Sequence, residues 1–507
     1  MKKLAKVDLF FTVVWVLILI SGICFKFSAK LIGWPDFSDS AFVENRALEP
    51  KPNYQTLPAK EWGRATERWY NDNFAWRYEI ISCYKYLHFN WLKSPARNSV
   101  PGKDGWIFGR IDPADRAQPG AEEDFAGLYK WPEVEDYMGI IRMDKQTIAD
   151  WVTLFEGRVA WAEAHGSRFL QVFTPMKIHV HSEKILPMIA SHRRESFRED
   201  LREALKESPV CTNVFFMLES LQHEVALGHE VYYKEDKHEN AYGCYCIYRD
   251  LLGRMRDLWF PDLPDFPFYN SPVPADVLEG RAPGCWENED RRLVISNPGT
   301  KVEDWRPLRI SAKNVVYRRN PIFVRQPGTN RYVIICHDSF LRYPFASWHD
   351  QNVQFALPLG RGFDRVASMI FTRLNTEKME RYFTDVIPDV LIEQFSEGRL
   401  QLGVYGLDDT MRRAAAWGRG KNVDNPESQT NLMAMALIEN VVSDMPKSII
   451  KINLVDNNGK IIASSDVLPG VRRAVFFGTI PNANNLKVAL VGGKAESISL
   501  KFRNSGP

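Results

Sequence analysis

The sequence predicts an α/β protein built on a parallel sheet flanked by helices. Three observations carry this. Residues 144 to 165 gather Ile148, Trp151, Val152, Leu154, Phe155, Val159 and Trp161 on one helical face, and Phe169–Phe173 follows at once as an apolar strand. Ser196–Lys206 and Val214–Met217 repeat the helix-then-strand order, the alternation that builds a sheet covered on both faces. The stretch Tyr332–Phe340, YVIICHDSF, has four consecutive apolar residues that suit a strand buried on both faces, and it breaks off at His337-Asp338-Ser339.

A chain of 507 residues exceeds one core, so two or three domains are expected. Net charge is +2 and no dense basic stripe occurs, which argues against nucleic acid as a partner. The fifteen tryptophans fit a carbohydrate-facing surface and large cores equally well. At the N-terminus Lys2, Lys3 and Lys6 precede an uncharged run from Leu9 to Phe25, at the lower limit of length for spanning a bilayer as a helix. No small-x-small cleavage site follows it. Residues 1–30 therefore read as a signal-anchor, with a cleaved signal peptide as the alternative. The body is then expected outside a cytoplasmic membrane, most simply in a bacterial periplasm. Seven cysteines are compatible with that compartment, but no spacing specifies a pairing.

Residues 31–62, rich in proline and polar residues, read as a linker. Glu61 to Leu92 carries Trp69, Trp76, Ile80, Cys83 and Leu87 at helical spacing and predicts one or two helices. Val100–Phe108 reads as a turn feeding a short strand. His179 and His181 flank Val180 after the Phe169–Phe173 strand. On a strand such a pair shares a face and can bind a metal, but no third ligand is identifiable and surface histidines are the preferred reading.

Two stretches carry chemistry. A serine in a turn after a buried strand is how α/β hydrolases expose a nucleophile, although polar turns often contain serine for local reasons. About a hundred residues earlier, Val231–Asn240 (VYYKEDKHEN) runs a short aromatic strand into a loop with Asp236 and His238 two residues apart. A helix then begins at Asn240, a natural N-cap. The plain alternative for Asp236 and His238 is a solvated loop with a local ion pair. The chemical one has His238 take the proton of Ser339 while Asp236 sets the imidazole tautomer, since a serine hydroxyl needs such a base near neutral pH.

Several spaced motifs together resemble the SGNH-hydrolase-like alginate O-acetyltransferases, the AlgJ and AlgX type. They are Glu44-Asn-Arg46-Ala-Leu48, Asn71-Asp72-Asn73-Phe74, Gly102-Lys-Asp-Gly-Trp-Ile-Phe108, Pro175-Met-Lys177 with Leu186-Pro187, Asp236-Lys-His238, His337-Asp338-Ser339-Phe340, and Pro388-Asp389-Val-Leu-Ile392-Glu393. Their order and rough spacing hold from about residue 40 to 400. The resemblance implies an SGNH-like fold with Asp and His before Ser in the chain, and a domain over residues 63–400. It implies Ser339 as nucleophile, His238 as base, Asp236 as orienting acid, and an acetyl-serine intermediate whose acyl group passes to a polysaccharide hydroxyl. It further implies a membrane-embedded acetyl-donor protein as partner and no metal or organic cofactor. Lys177, Asn240, Tyr233 and His337 are secondary candidates for contacting the oxyanion or substrate, beside the backbone N–H of Ser339. Glu239 stands where the family commonly has Trp, and His337 where it has Gly. An acetyl esterase, and a non-catalytic polysaccharide assembly or export protein, are the alternative functions.

Residues 401–507 read as a small β-sandwich-like domain. Ile449–Val455, Lys460–Ile462, Ala474–Phe477, Leu486–Val491 and Ile498–Leu500 are short strands, and Asp456-Asn-Asn-Gly459 is a hairpin turn. The last Trp is Trp417 and no Tyr follows, so a sugar-stacking platform is poorly supplied and a docking or packing role is at least equally expected.

Overall fold

The computed structural model describes residues 49–73, 99–110, 132–234, 237–263, 322–325, 330–341, 365–370, 373–383, 387–421, 432–439, 442–443, 450–455, 458–467, 473–480, 486–491 and 493–504, with a few isolated positions. Contacts divide the chain into two compact units, residues 1–96 with 278–288, and residues 97–277 with 289–507. Among the described residues no helix is long and apolar enough to cross a membrane. The predicted anchor, apart from Val13, lies outside the described residues.

In the first unit helix α1 (Trp62–Asn73) continues from a 3-10 turn at Ala59–Glu61. Asp72 accepts the Glu49 backbone N–H at 3.0 Å, and Tyr54 packs edge-on to Trp62. The rest of the predicted helical stretch up to Leu92 lies almost wholly outside the described residues.

The second unit opens with a hairpin of β1 (Ser99–Pro101) and β2 (Ile107–Gly109). Asp104 and Gly105 both take positive φ in its turn, which an Asp-Gly pair adopts readily. A six-stranded sheet follows, made of β3 (Arg168–Thr174), β4 (Val214–Phe216), β5 (Ile322–Arg325), β6 (Tyr332–His337), β7 (Arg365–Ile370) and β8 (Val390–Ser396). Its order is β4-β3-β8-β6-β7-β5, parallel except for β5, which runs antiparallel to β7. The α/β prediction therefore holds.

Both faces of the sheet are covered. On β3 the residues Phe169 and Phe173, on β6 Ile334 and Cys336, and on β8 Leu391 and Phe395 join one core cluster with α2 (Lys145–Ala164). The alternating residues Leu170, Val172, Val333, Ile335, Val390 and Ile392 are buried on the opposite side. Helix α2 begins where Asp144 accepts the Thr147 N–H at 2.7 Å. Inside this core Arg158 pairs with Glu393 and also donates to the carbonyls of Leu374 and Tyr405. Glu393 in turn accepts the Leu374 N–H at 2.7 Å, so the buried pair is held by further hydrogen bonds on both sides.

After β3 the chain forms α3 (Lys177–Val180), then α4 (Phe197–Leu205), which has a capping box between Ser196 and Glu199. Helices α5 (Leu218–Ala226) and α6 (Ala241–Leu258) follow β4. His179 thus lies on a helix rather than on a strand with His181. His179 Nε2 meets Asp136 at 2.7 Å, whereas His181 Nδ1 meets Glu183, so the two rings are engaged separately. Among the described residues no cluster of three potential metal ligands occurs. The described cysteines Cys211, Cys244, Cys246 and Cys336 form no disulfide with one another.

Helix α7 (Asp409–Arg419) packs on α2 and leads into the C-terminal strands. Here β9 (Leu432–Glu439), β13 (Arg473–Ile480) and β16 (Ser497–Asn504) form one three-stranded sheet, and β11 (Ile450–Val455), β12 (Ile461–Val467) and β14 (Lys487–Val491) another. The short β10 (Val442–Ser443) and β15 (Gly493–Lys494) pair beside them. β11 and β12 pair antiparallel across the predicted turn, with Gly459 at φ +76°. Leu432, Ala434, Ala436 and Phe476 of one sheet share a core with Ile452 and Leu454 of the other. Met433, Met435 and Phe477 point the other way, into the cluster under α2 and α7.

Two predictions follow from this packing. A Cβ built on Gly157 of α2 would sit 2.3 Å from the Met411 carbonyl oxygen of α7, while one on Gly253 of α6 has only the tip of Arg256 near it. Gly157→Ala should lower urea-measured stability by roughly 1–3 kcal/mol, and Gly253→Ala should raise it by roughly 0.5–1 kcal/mol. Glu397, just past β8, is buried, and burial pushes its carboxyl up to about 6 against the pull of Arg198 and His179. A raised carboxyl favours the folded state while protonated. Its contribution is therefore complete below about 4.5 and disappears as pH rises through about 6, a loss of about 2 kcal/mol. Glu397→Gln should flatten the fall in urea-measured stability between pH 4.5 and 7 by about that amount.

Candidate active site

The C-terminal ends of β3, β8 and β6 lie side by side, with Thr174 opposite Ser396 and Cys336 opposite Glu393. Polar side chains lace these ends together although all of them are buried. Gln394 donates to Thr174 Oγ1 at 3.0 Å and accepts the Asp338 backbone N–H at 3.2 Å.

Asp338 shapes the turn that carries the predicted nucleophile. One carboxylate oxygen accepts the Phe340 N–H at 2.9 Å. The other accepts the Ser396 N–H at 2.9 Å and the Arg399 Nε–H at 3.1 Å. The chain is thereby bent out of β6 into a 3-10 turn, Ser339–Leu341, anchored by the buried Phe340 and Leu341. Ser339 opens this turn at the edge of the sheet. His337, the last residue of β6, is buried and directs its Nδ1–H to the Asp338 carbonyl at 2.9 Å.

The second predicted stretch arrives at the same place. Residues 231–240 double back on themselves. Tyr232 and Glu239 form an antiparallel bridge, the Tyr233 N–H donates to the His238 carbonyl at 3.2 Å, and the Asn240 N–H donates to the Val231 carbonyl at 3.0 Å. His238 is half-buried, and its ring lies 4.8 Å from that of Phe340, the residue after Ser339. Cys244 Sγ on α6 also approaches the Phe340 carbonyl, at 3.9 Å. The structure thus brings the His238 loop and the Ser339 turn together. Asp236 and the Ser339 side chain lie outside the described residues.

The secondary candidates sit as follows. Lys177 is buried, with Nζ donating to the carbonyls of Lys234 at 3.0 Å and Tyr233 at 3.3 Å, and it lies over the rings of Trp106 and Phe108. Its cation supports the loop from beneath. Asn240 caps α6, accepting the Gly243 N–H at 2.9 Å, and its amide donates to the Glu230 carbonyl. Tyr233 is half-buried and contributes its backbone to the loop. Glu239, which sequence comparison marked as a departure, is fully buried and meets the Tyr232 hydroxyl at 2.9 Å.

Sequence reasoning did not find Arg399, Gln394, Ser396, Tyr232 or Phe340 as parts of this edge. A signal for two of them exists. Glu393, Gln394, Ser396 and Glu397 are polar residues in or beside a strand whose every residue is buried, and buried polar groups in a sheet need partners. Nothing local marks Arg399 or Tyr232.

No protein-family model and no curated protein matches the chain. Among solved structures it is similar to the O-acetyltransferase domain of Pseudomonas putida AlgJ, at 16% identity and TM-score 0.33, over 63% of this chain and 99% of that one. It is similar to Bacillus cereus PatB1, solved with a sulfonyl adduct, at 13% identity and TM-score 0.30, over 61% and 98% of the two chains. It is also similar to Pseudomonas aeruginosa AlgX, at 12% identity and TM-score 0.31, over 80% and 94%.

Proposed function

We propose that this chain is an O-acetyltransferase that passes an acetyl group through Ser339 onto hydroxyls of an extracytoplasmic polysaccharide. The observation that supports the reading is the meeting of the His238 ring with Phe340, the residue after Ser339. The motif order in the sequence supports the same assignment.

In this reading Ser339 Oγ attacks the acetyl carbonyl of a donor while His238 takes its proton. Asp236 holds the imidazole tautomer and stabilises the imidazolium. The backbone N–H of Ser339 donates to the oxyanion of the tetrahedral intermediate. The donor's oxygen leaves with the proton from His238, and the acetyl group remains on Ser339. A sugar hydroxyl then attacks this ester, giving its proton to His238. Collapse transfers the acetyl group to the sugar and returns the proton to Ser339. The acetyl donor is a membrane-embedded partner protein, the chain is held to the cytoplasmic membrane by Leu9–Phe25, and the reaction takes place in the periplasm.

Two measurements test the reading. A serine-directed sulfonyl fluoride should modify the full-length protein at Ser339, located by peptide mass spectrometry, and Ser339→Ala should abolish that label. An unlabelled Ser339 in the folded wild type removes the reading's main support. With an activated acetyl ester and an oligosaccharide acceptor, the wild type should give acetylated sugar, and His238→Ala should lower the yield by about a hundredfold or more. Free acetate as the only product would make the chain an esterase.

A further inference from the structure

The residue that follows His238 carries an unassigned function. Tyr232 and Glu239 are both buried, at 1% and 0% exposure, and face each other across the bridge that closes the loop. The Tyr232 hydroxyl lies 2.5 Å from the Pro175 carbonyl oxygen and 2.9 Å from Glu239 Oε1. A phenol has one hydrogen, and a carbonyl oxygen has none. The shorter contact takes the Tyr232 hydrogen to Pro175, and with the hydrogen there the contact with Glu239 is a hydrogen bond only when Glu239 supplies the proton.

We infer that Glu239 is kept as a neutral carboxylic acid and acts as a positioning residue for His238. Its proton is donated to Tyr232, and that of Tyr232 to the end of β3. The chain of donors fixes the loop to Pro175, directly after the strand whose end Gln394 ties to the Ser339 turn. Burial disfavours charge in these surroundings, and it pushes both the Tyr232 phenol and the Cys244 thiol on α6 well above their usual values. Gly243 of α6 packs close to the Glu239 Cβ, and the His181 ring lies beyond Tyr232. A glutamine in this place reproduces the donor, because its amide N–H reaches Tyr232 as the acid proton does. Alanine does not, and Tyr232→Phe removes the middle of the chain.

The positioning role rests on the proposed function; the protonation state does not, so the test has two arms on the full-length protein. In infrared difference spectroscopy at pH 7, wild type minus Glu239→Gln should show a carboxylic-acid carbonyl band; a carboxylate band there overturns the inference. In the second arm the rate of sulfonyl labelling at Ser339 is followed against pH. Glu239→Gln should keep the wild-type rate within about threefold and the wild-type midpoint, while Glu239→Ala and Tyr232→Phe should each lose about tenfold or more. A Glu239→Gln variant as slow as Glu239→Ala, or one with a shifted midpoint, means that a charge is required and overturns the inference. If the wild type is not labelled at all, the function reading fails. The infrared band and hydrogen exchange of the Tyr233 and Asn240 amides then decide the inference. Protection kept in Glu239→Gln and lost in Glu239→Ala supports it, and equal loss in both overturns it.

Discussion

The carboxylate of Asp338 is the constraint on which the sheet edge depends. It is buried where three parallel strands end, and each of its oxygens is engaged, by the N–H groups of Phe340 and Ser396 and by the guanidinium of Arg399. Hydrogen bonds to a charged group contribute about 1.5–3 kcal/mol each, and removal of this acceptor leaves two backbone donors unpaired in the interior. The interaction also dictates direction. Because one oxygen closes back onto Phe340, the chain leaves the strand here, and the residue between them begins the 3-10 turn at the edge. That residue is Ser339.

The loop at 231–240 meets the same requirement by different means. It has no regular element to hold it, so its backbone polar groups are satisfied individually. Lys177 covers the carbonyls of Tyr233 and Lys234, the Ile107 N–H of β2 donates to Lys234, and Asn240 ties the exit to Glu230 and α6. Lys177 is itself held over the Trp106 and Phe108 rings, which the Asp104-Gly105 turn presents. Two loops from distant parts of the chain are therefore fixed to one set of strand ends. That arrangement holds both loops in place before any ligand arrives.

Much of this was legible in the sequence because it follows from periodicity. The helix at 145–164, the strands at 168–174, 214–216 and 332–337, and the hairpin across Gly459 are local patterns with local causes. The His179/His181 pair, preferred as surface histidines, is instead buried, at 3% and 1% exposure. Pro175 follows β3 and the next residues form a helical turn packed into the interior, where Asp136 and Glu183 engage the two rings. The strand order could not be read from the sequence. It depends on β8, the last strand of the sheet in the sequence, inserting between β3 and β6. The partners of Asp338 were likewise hidden, since Arg399 reaches it across 61 residues and no spacing rule predicts such a contact.

The same geometry alters the meaning of the two departures from the family pattern. From sequence both His337 and Glu239 sit beside catalytic candidates and suggest a changed substrate. In the fold Glu239 points away from the loop's tip, under the bridge and toward Pro175, and His337 turns its Nδ1 back to the backbone of Asp338. A buried polar side chain costs stability unless its hydrogen bonds are made, so each replacement has to be accommodated by its own neighbours. Tyr232 supplies the partner for Glu239, and the Asp338 carbonyl supplies one for His337. Departures of this kind belong to the support of the site. They alter what holds the His238 loop and the Ser339 turn in place at the sheet edge.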